Sequence, residues 1–288
     1  METMQYHLLG YLQVTRNGES CTPTAPMQRT LLAVLLLHRN EYITTRAIIG
    51  ALWPNCPPRS AAAALQTYVS ALRRRLTPSA GPPTDVHRHP VLRTESYGYV
   101  MSVEDGQLDL ARFRTLADRA RARLAAGRCG EAHQLFSTAL GLWRGAAALA
   151  DLRHNDTLDQ QAVRLEQERL AVVQERLWLD LRHGRGPQVV GEIEQLCRSY
   201  PLRESLQHLL MVALALTGRR ADALAVYART YRVMVDEAGI EPGAHLRAAQ
   251  HVLLADRDES TYTRLLADQY PGGVCACGLE VAEPDLLA

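Results

Sequence analysis

The chain contains no lysine: all 32 residues that could be lysine or arginine are arginine. That absence excludes whole classes of chemistry. A phosphate-binding P-loop needs a lysine at the β/γ-phosphates, and Schiff-base enzymes and protein kinases need one as nucleophile or phosphate clamp. Arginine cannot substitute, because it stays protonated and is a poor nucleophile. Long apolar runs are also missing. Leu31–Leu37 spans seven residues, against roughly 20 needed to cross a bilayer. No basic segment followed by an apolar run opens the chain, so neither a secretory leader nor a membrane span is expected, and a cytoplasmic location follows. The six cysteines, Cys21, Cys56, Cys129, Cys197, Cys275 and Cys277, show no C-x-x-C spacing. Free thiols are the expectation for them.

What is present is an uneven charge. Ten arginines face five acids up to Val103, a net of +5, whereas 22 face 26 from Glu104 onward, a net of −4. The near-neutral total of +1 hides a basic N-terminal third. Such asymmetry fits an anionic partner for one part of the chain, nucleic acid being the common case, or a solvated basic face.

The N-terminal third reads as strand, helices and hairpin. His7–Val14 alternates loosely and runs to a turn signal at Asn17-Gly18. Pro26 opens a buried helix running to about Arg39. Thr44 or Thr45 caps a second helix with Ile48, Ile49, Leu52 and Trp53 as its apolar stripe, and Pro54–Pro58 ends it. Ser60 is placed to cap a third helix through Leu76, whose buried stripe is Leu65, Tyr68 or Val69, Leu72 and Leu76. The opposite face carries Ala63, Gln66, Thr67, Ser70, Arg73 and Arg74. Small polar groups followed by arginines suit close approach to a major groove; an ordinary solvated helix face has the same look. Context favours the groove. After a Pro/Gly-rich turn over Pro78–Pro83, Val91–Thr94 and Tyr97–Met101 form two β-like runs around a tight turn. Three helices and a C-terminal hairpin make a winged helix, with helix three in the groove and the hairpin along the backbone.

His7-Leu8-Leu9-Gly10, Gln28-Arg29-x-Leu31-Leu32-Ala33-x-Leu35-Leu36-Leu37, Leu52-Trp53, Pro57-Pro58, Leu65-Gln66-Thr67-Tyr68-Val69-Ser70-x-Leu72-Arg73 and Gly98-Tyr99 together resemble the Streptomyces antibiotic regulatory protein (SARP) family. That family joins a response-regulator-type (OmpR-type) winged helix to a bacterial transcriptional activation domain. The resemblance continues through Ala139-Leu140-x-Leu142-Trp143-Arg144-Gly145, Pro201-Leu202-Arg203-Glu204, Leu210-Met211-x-Ala213-Leu214 and Gly239-Ile240-x-Pro242-Gly243, so it spans about residues 4–256. It departs from the pattern at Met27 (usually Lys), at Ala62-Ala63-Ala64 (often Arg and Asn), at Ala71 (commonly Arg) and at Glu95 (often Arg). The missing cations imply weaker phosphate binding than is usual in the family, or a different operator.

From Leu108 onward the pattern is helical throughout: Asp109–Ala126, Gly130–Trp143, Thr157–Arg182, Val189–Tyr200, Leu202–Leu216, Ala221–Glu237 and Ala244–Ala255. Gly127-Arg128-x-x-Glu131-Ala132 and Gly218-Arg219-x-x-Asp222-Ala223 repeat one turn type, and Gly184 and Gly218 lie 34 apart, the period of tetratricopeptide repeats. The alternative is an unrelated α-bundle.

The expected fold is therefore mainly α with a small β component, a winged helix-turn-helix over 1–103 followed by an all-α, tetratricopeptide-like domain over 108–256. Residues 257–288 form a tail. Its Cys275-Ala276-Cys277 lacks further ligands for a metal set, so no metal and no cofactor is expected. No nucleophile elbow, H-E-x-x-H or framed carboxylate pair is present, which argues against an enzyme. The resemblance implies an activator of a biosynthetic gene cluster that binds direct repeats in double-stranded DNA as two protomers side by side. It would then contact RNA polymerase and its principal sigma factor. Gln66, Thr67, Ser70, Arg73 and Arg74 are the candidate groove contacts, with Arg29, Arg93 and Thr94 on the DNA backbone. Trp53, Pro54, Asn55, Pro57 and Pro58 are the candidate polymerase contacts. The competing reading is a tetratricopeptide-type adaptor whose winged helix does not bind DNA.

Overall fold

A computed structural model describes residues 4–77, 89–255, 261–262 and 264–266 of the chain. The turn expected over Pro78–Pro83 and the Cys275/Cys277 pair lie outside the described residues. Among the described residues the architecture is mainly α, with two small three-stranded sheets. Two compact units are present: Met1–Leu116 with Thr138–Leu170, and Ala117–Ser137 with Ala171–Ala288.

The first sheet is an antiparallel meander of β1 (Met4–His7), β2 (Gln13–Arg16) and β3 (Glu19–Ser20). Tyr6 pairs opposite Val14, and both are buried. The turn expected at Asn17-Gly18 forms between β2 and β3, with φ of 50° and 88°. The single run expected over His7–Val14 is instead broken after His7. Leu8 and Leu9 donate their N–H groups to the Asp109 carboxylate rather than to a strand neighbour, at 2.8 and 3.0 Å.

Three helices follow. α1 (Pro26–Leu37) carries proline in its first turn and buries Thr30–Leu36. α2 (Thr45–Leu52) is capped by Thr44, whose hydroxyl accepts from the Ala47 N–H at 3.1 Å. A cap of this kind contributes about 1 kcal/mol. α3 (Ala61–Leu76) begins after Ser60, but Ser60 makes no side-chain cap bond. The Ala64 N–H instead reaches the Ser60 carbonyl, and the Ala61 N–H that of Pro58.

The wing contains a strand that the sequence did not signal. β4 (Tyr42–Thr44) lies between α1 and α2 and pairs with β6 (Gly98–Met101), which also pairs with β5 (Leu92–Glu95). The order is β4-β6-β5. α1 packs on α2, α3 and β6, so the apolar side of the wing joins the three-helix core.

Helices α4 (Asp109–Ala125), α5 (Cys129–Leu140), α6 (Asp156–Arg182), α7 (Gly186–Ser199), α8 (Glu204–Leu216), α9 (Arg220–Val233) and α10 (Ala244–Leu254) follow. In the second unit α7 packs on α8, α8 on α9, and α10 on both α8 and α9. α8 is the core element, buried from Leu206 to Ala215. The repeated glycines do what the pattern implies: Gly184 and Gly218 end α6 and α8 in the left-handed region, at φ of 69° and 76°. The helix expected to continue to Glu237 leaves α-geometry at Met234, where a π-turn runs to Ala238.

Candidate nucleic-acid interface

The rotation of α3 about its axis is set by its apolar stripe. Leu65, Val69, Leu72 and Leu76 are all at most 1% exposed, and each contributes roughly 1.5–3 kcal/mol by leaving water. Val69, not Tyr68, fills the second position; Tyr68 is half-buried and tilts against Trp53 at 6.4 Å between ring centroids. With that stripe inward, Ala62, Ala63, Gln66, Thr67, Ser70 and Arg74 all face solvent along one side of the helix. Thr67 donates its hydroxyl proton to the Ala63 carbonyl at 3.1 Å.

Arg73 sits differently from Arg74. Its Nε donates to the Leu92 carbonyl at 3.0 Å and its Nη2 to the Thr94 hydroxyl at 2.7 Å. Burial lowers its pKa. Arg73 thus clamps the last turns of α3 to the first strand of the wing and brings Thr94 to the helix. A second tie runs beside it. His89 Nδ1 accepts the N–H groups of Val91 and Leu92, so the ring proton lies on Nε2 and points to the Thr77 hydroxyl at 3.0 Å. Thr77 in turn donates to the Arg73 carbonyl. Helix and hairpin are therefore held as one surface.

Arg93 projects from β5, exposed, with Glu95 at 3.4 Å. Tyr97 stands at the hairpin tip and is 86% exposed. Arg46 on α2 and Arg59 before α3 add two exposed cations. The exposure of Tyr97, Arg46 and Arg59 is set by the tertiary fold and is not visible in a linear pattern.

Arg29 is engaged within the protein. Its guanidinium pairs with Asp151 and also donates to the Pro23 and Leu12 carbonyls at 2.9 and 3.0 Å. With those donors satisfied, it is a structural cation and not part of the exposed face. Of the α2–α3 connection, Pro54, Asn55, Pro57 and Pro58 are exposed and Trp53 is half-buried. Among the described residues, no group of three His, Cys, Asp or Glu side chains is arranged to hold a metal. No helix among them is long and apolar enough to cross a membrane.

Known proteins match this arrangement closely. The family described as bacterial transcriptional activator domain matches residues 108–254. The regulatory protein AfsR of Streptomyces coelicolor is 40% identical over 252 residues, covering 87% of this chain but 24% of that protein. The regulatory protein DnrI of Streptomyces peucetius is 34% identical over 251 residues, covering 87% of this chain and 92% of that protein. The chain thus spans about a quarter of AfsR and nearly all of DnrI. Among solved structures, EmbR of Mycobacterium tuberculosis, in complex with a low-affinity phosphopeptide, superposes with a TM-score of 0.84 at 32% identity, covering 93% of this chain and 70% of that one. AfsR and DnrI are both named as regulatory proteins. With an activation-domain match over half its length and a relative matched almost end to end, the chain belongs to the SARP family of transcriptional activators.

Proposed function

We propose that this protein is a sequence-specific DNA-binding activator of a secondary-metabolite gene cluster, acting in the cytoplasm at the nucleoid. Residues 1–103 carry the DNA-binding winged helix, residues 108–256 the tetratricopeptide-like activation domain. It binds direct repeats as two protomers side by side and recruits RNA polymerase through its principal sigma factor. The α2–α3 connection (Trp53, Pro54, Asn55, Pro57, Pro58) serves as one contact surface.

The observation that carries the DNA-binding reading is the coupled face. The solvent side of α3 offers small polar groups and Arg74, while Arg73 ties that helix to a wing bearing Arg93 and Thr94. Gln66, Thr67 and Ser70 lie where base edges would be reached. Arg74 and Arg93 lie where phosphates would be met. Arg73 acts by fixing the angle between them, and Arg29 by holding the fold. Membership in a family of activators supports the regulatory role.

Footprinting of the full chain on the promoters beside its gene tests this, with protected direct repeats expected. Arg74→Ala should reduce the slope of log affinity against log salt by about one, because one phosphate neutralisation is lost. Equal affinity for promoter and random DNA would favour the adaptor reading instead.

A further inference from the structure

On the exposed face of α3, Gln66 is the one amide, a group that discriminates a base by a donor and an acceptor held together. Arg73, which the linear pattern offers as a guanine reader, already donates to Leu92 and Thr94. Thr67 has donated its proton to Ala63. Ser70 carries one rotatable hydroxyl, which can donate to or accept from any base and so distinguishes weakly. Arg74 lies eight residues beyond Gln66. That is about 12 Å along the helix, or three to four base-pair steps, which places it toward the groove edge where phosphates run. Gln66 remains: exposed, unbranched, with an acceptor and a donor in one plane. Ala62 and Ala63 lie one turn before it on the same side, and the exposed Thr67, which carries a methyl, is its neighbour in the chain.

We propose that Gln66 reads an adenine in the major groove, with the Ala62, Ala63 and Thr67 methyls packing against neighbouring thymine methyls, so that the operator half-site is centred on A·T pairs. The side-chain oxygen accepts from adenine N6–H and the amide NH2 donates to N7. At a guanine the same oxygen meets the O6 acceptor, and two lone pairs oppose each other. The alanine surface excludes the charged contacts that a G·C-reading helix would make here. This inference rests on the DNA-binding reading above and adds the base class that the site takes.

Selection from randomised duplex DNA, followed by sequencing, tests it with the full chain and two variants. The wild-type motif should contain an adenine whose change to guanine costs on the order of tenfold in affinity. Gln66→Glu should move the preference at that one position to cytosine, because a carboxylate accepts from cytosine N4–H2 and cannot donate to N7. Gln66→Ala should lose preference there and keep it at the other positions, which also shows that the variant is folded. A wild-type motif that Gln66→Glu leaves unchanged would overturn the Gln66 assignment while leaving DNA reading intact. A wild-type chain that selects no motif at all would overturn the DNA-binding reading itself.

Discussion

Arg29, Arg73 and Arg74 count equally in a charge sum, and their surroundings give them three different tasks. Arg29 is bound by a carboxylate and two carbonyls, Arg73 by a carbonyl and a hydroxyl of the wing, and Arg74 faces solvent. The flat, five-donor guanidinium suits the first two tasks in a way an ammonium would not, since several acceptors are met at fixed angles. His89 shows how much one buried side chain can carry. Its ring is 2% exposed, and its Nδ1 must be unprotonated to accept two backbone N–H groups. Burial first, and then the charge of Arg73, hold its pKa below the ordinary histidine value. The folded state therefore binds a proton less readily than the unfolded chain. Its stabilising effect is complete above the unfolded value of about 6.5 and is lost as pH falls through the depressed one. Thermal midpoints measured from pH 7 to pH 5 should fall more steeply for the wild type than for His89→Gln. The comparison must be between the two proteins, because burial also lowers His133. Parallel curves would show that His89 stays neutral without consequence.

Among elements, the helices were legible because an apolar stripe at helical spacing is a local signal. α1, α2, α3 and α6 begin and end within a few residues of where that stripe and its caps place them. β4 was not legible. Tyr42–Thr44 is a three-residue segment whose strand geometry exists only because β6 arrives 54 to 58 residues later to pair with it. The pairing is close at Gly98, where an added Cβ would come within 2.2 Å of the Ile43 carbonyl oxygen. No flexible side chain can yield there, since the clash is with backbone. Gly98→Ala should therefore separate β4 from β6 and cost about 3 kcal/mol or more in denaturant unfolding. DNA affinity should fall with it, because the wing loses its third strand while α3 keeps its own core contacts. Unfolding at the wild-type denaturant concentration would show that the strand pair adjusts freely.

For the whole molecule, the sequence boundary between the winged helix and the helical region falls at 103–108, and the compact unit containing the winged helix runs past it to include Thr138–Leu170. Within that unit the Asp109 carboxylate, 4% exposed, accepts the N–H groups of Leu8 and Leu9. The Asp151 carboxylate accepts the Leu12 N–H and pairs with Arg29. Asn155 donates to the Ala51 carbonyl at the end of α2 while its oxygen caps α6 at the Leu158 N–H. A fragment ending at Val103 would exchange these hydrogen bonds for water, losing about 0.5–1.5 kcal/mol for each neutral one and more for those to a carboxylate. We expect residues 1–103 alone to melt broadly and far below the full chain by circular dichroism. A sharp transition near the full-chain midpoint would show that the winged helix needs none of these anchors. Local pattern carries the fold class, the bounds of α1, α2, α3 and α6, the turns at Gly184 and Gly218 and the family, because periodicity, caps and motif strings are written in neighbouring residues. The tertiary structure alone decided which arginines remain available. Whether a guanidinium faces solvent or a carboxylate depends on partners such as Asp151 and Leu92, 122 and 19 positions away in the chain, and no local pattern carries that information.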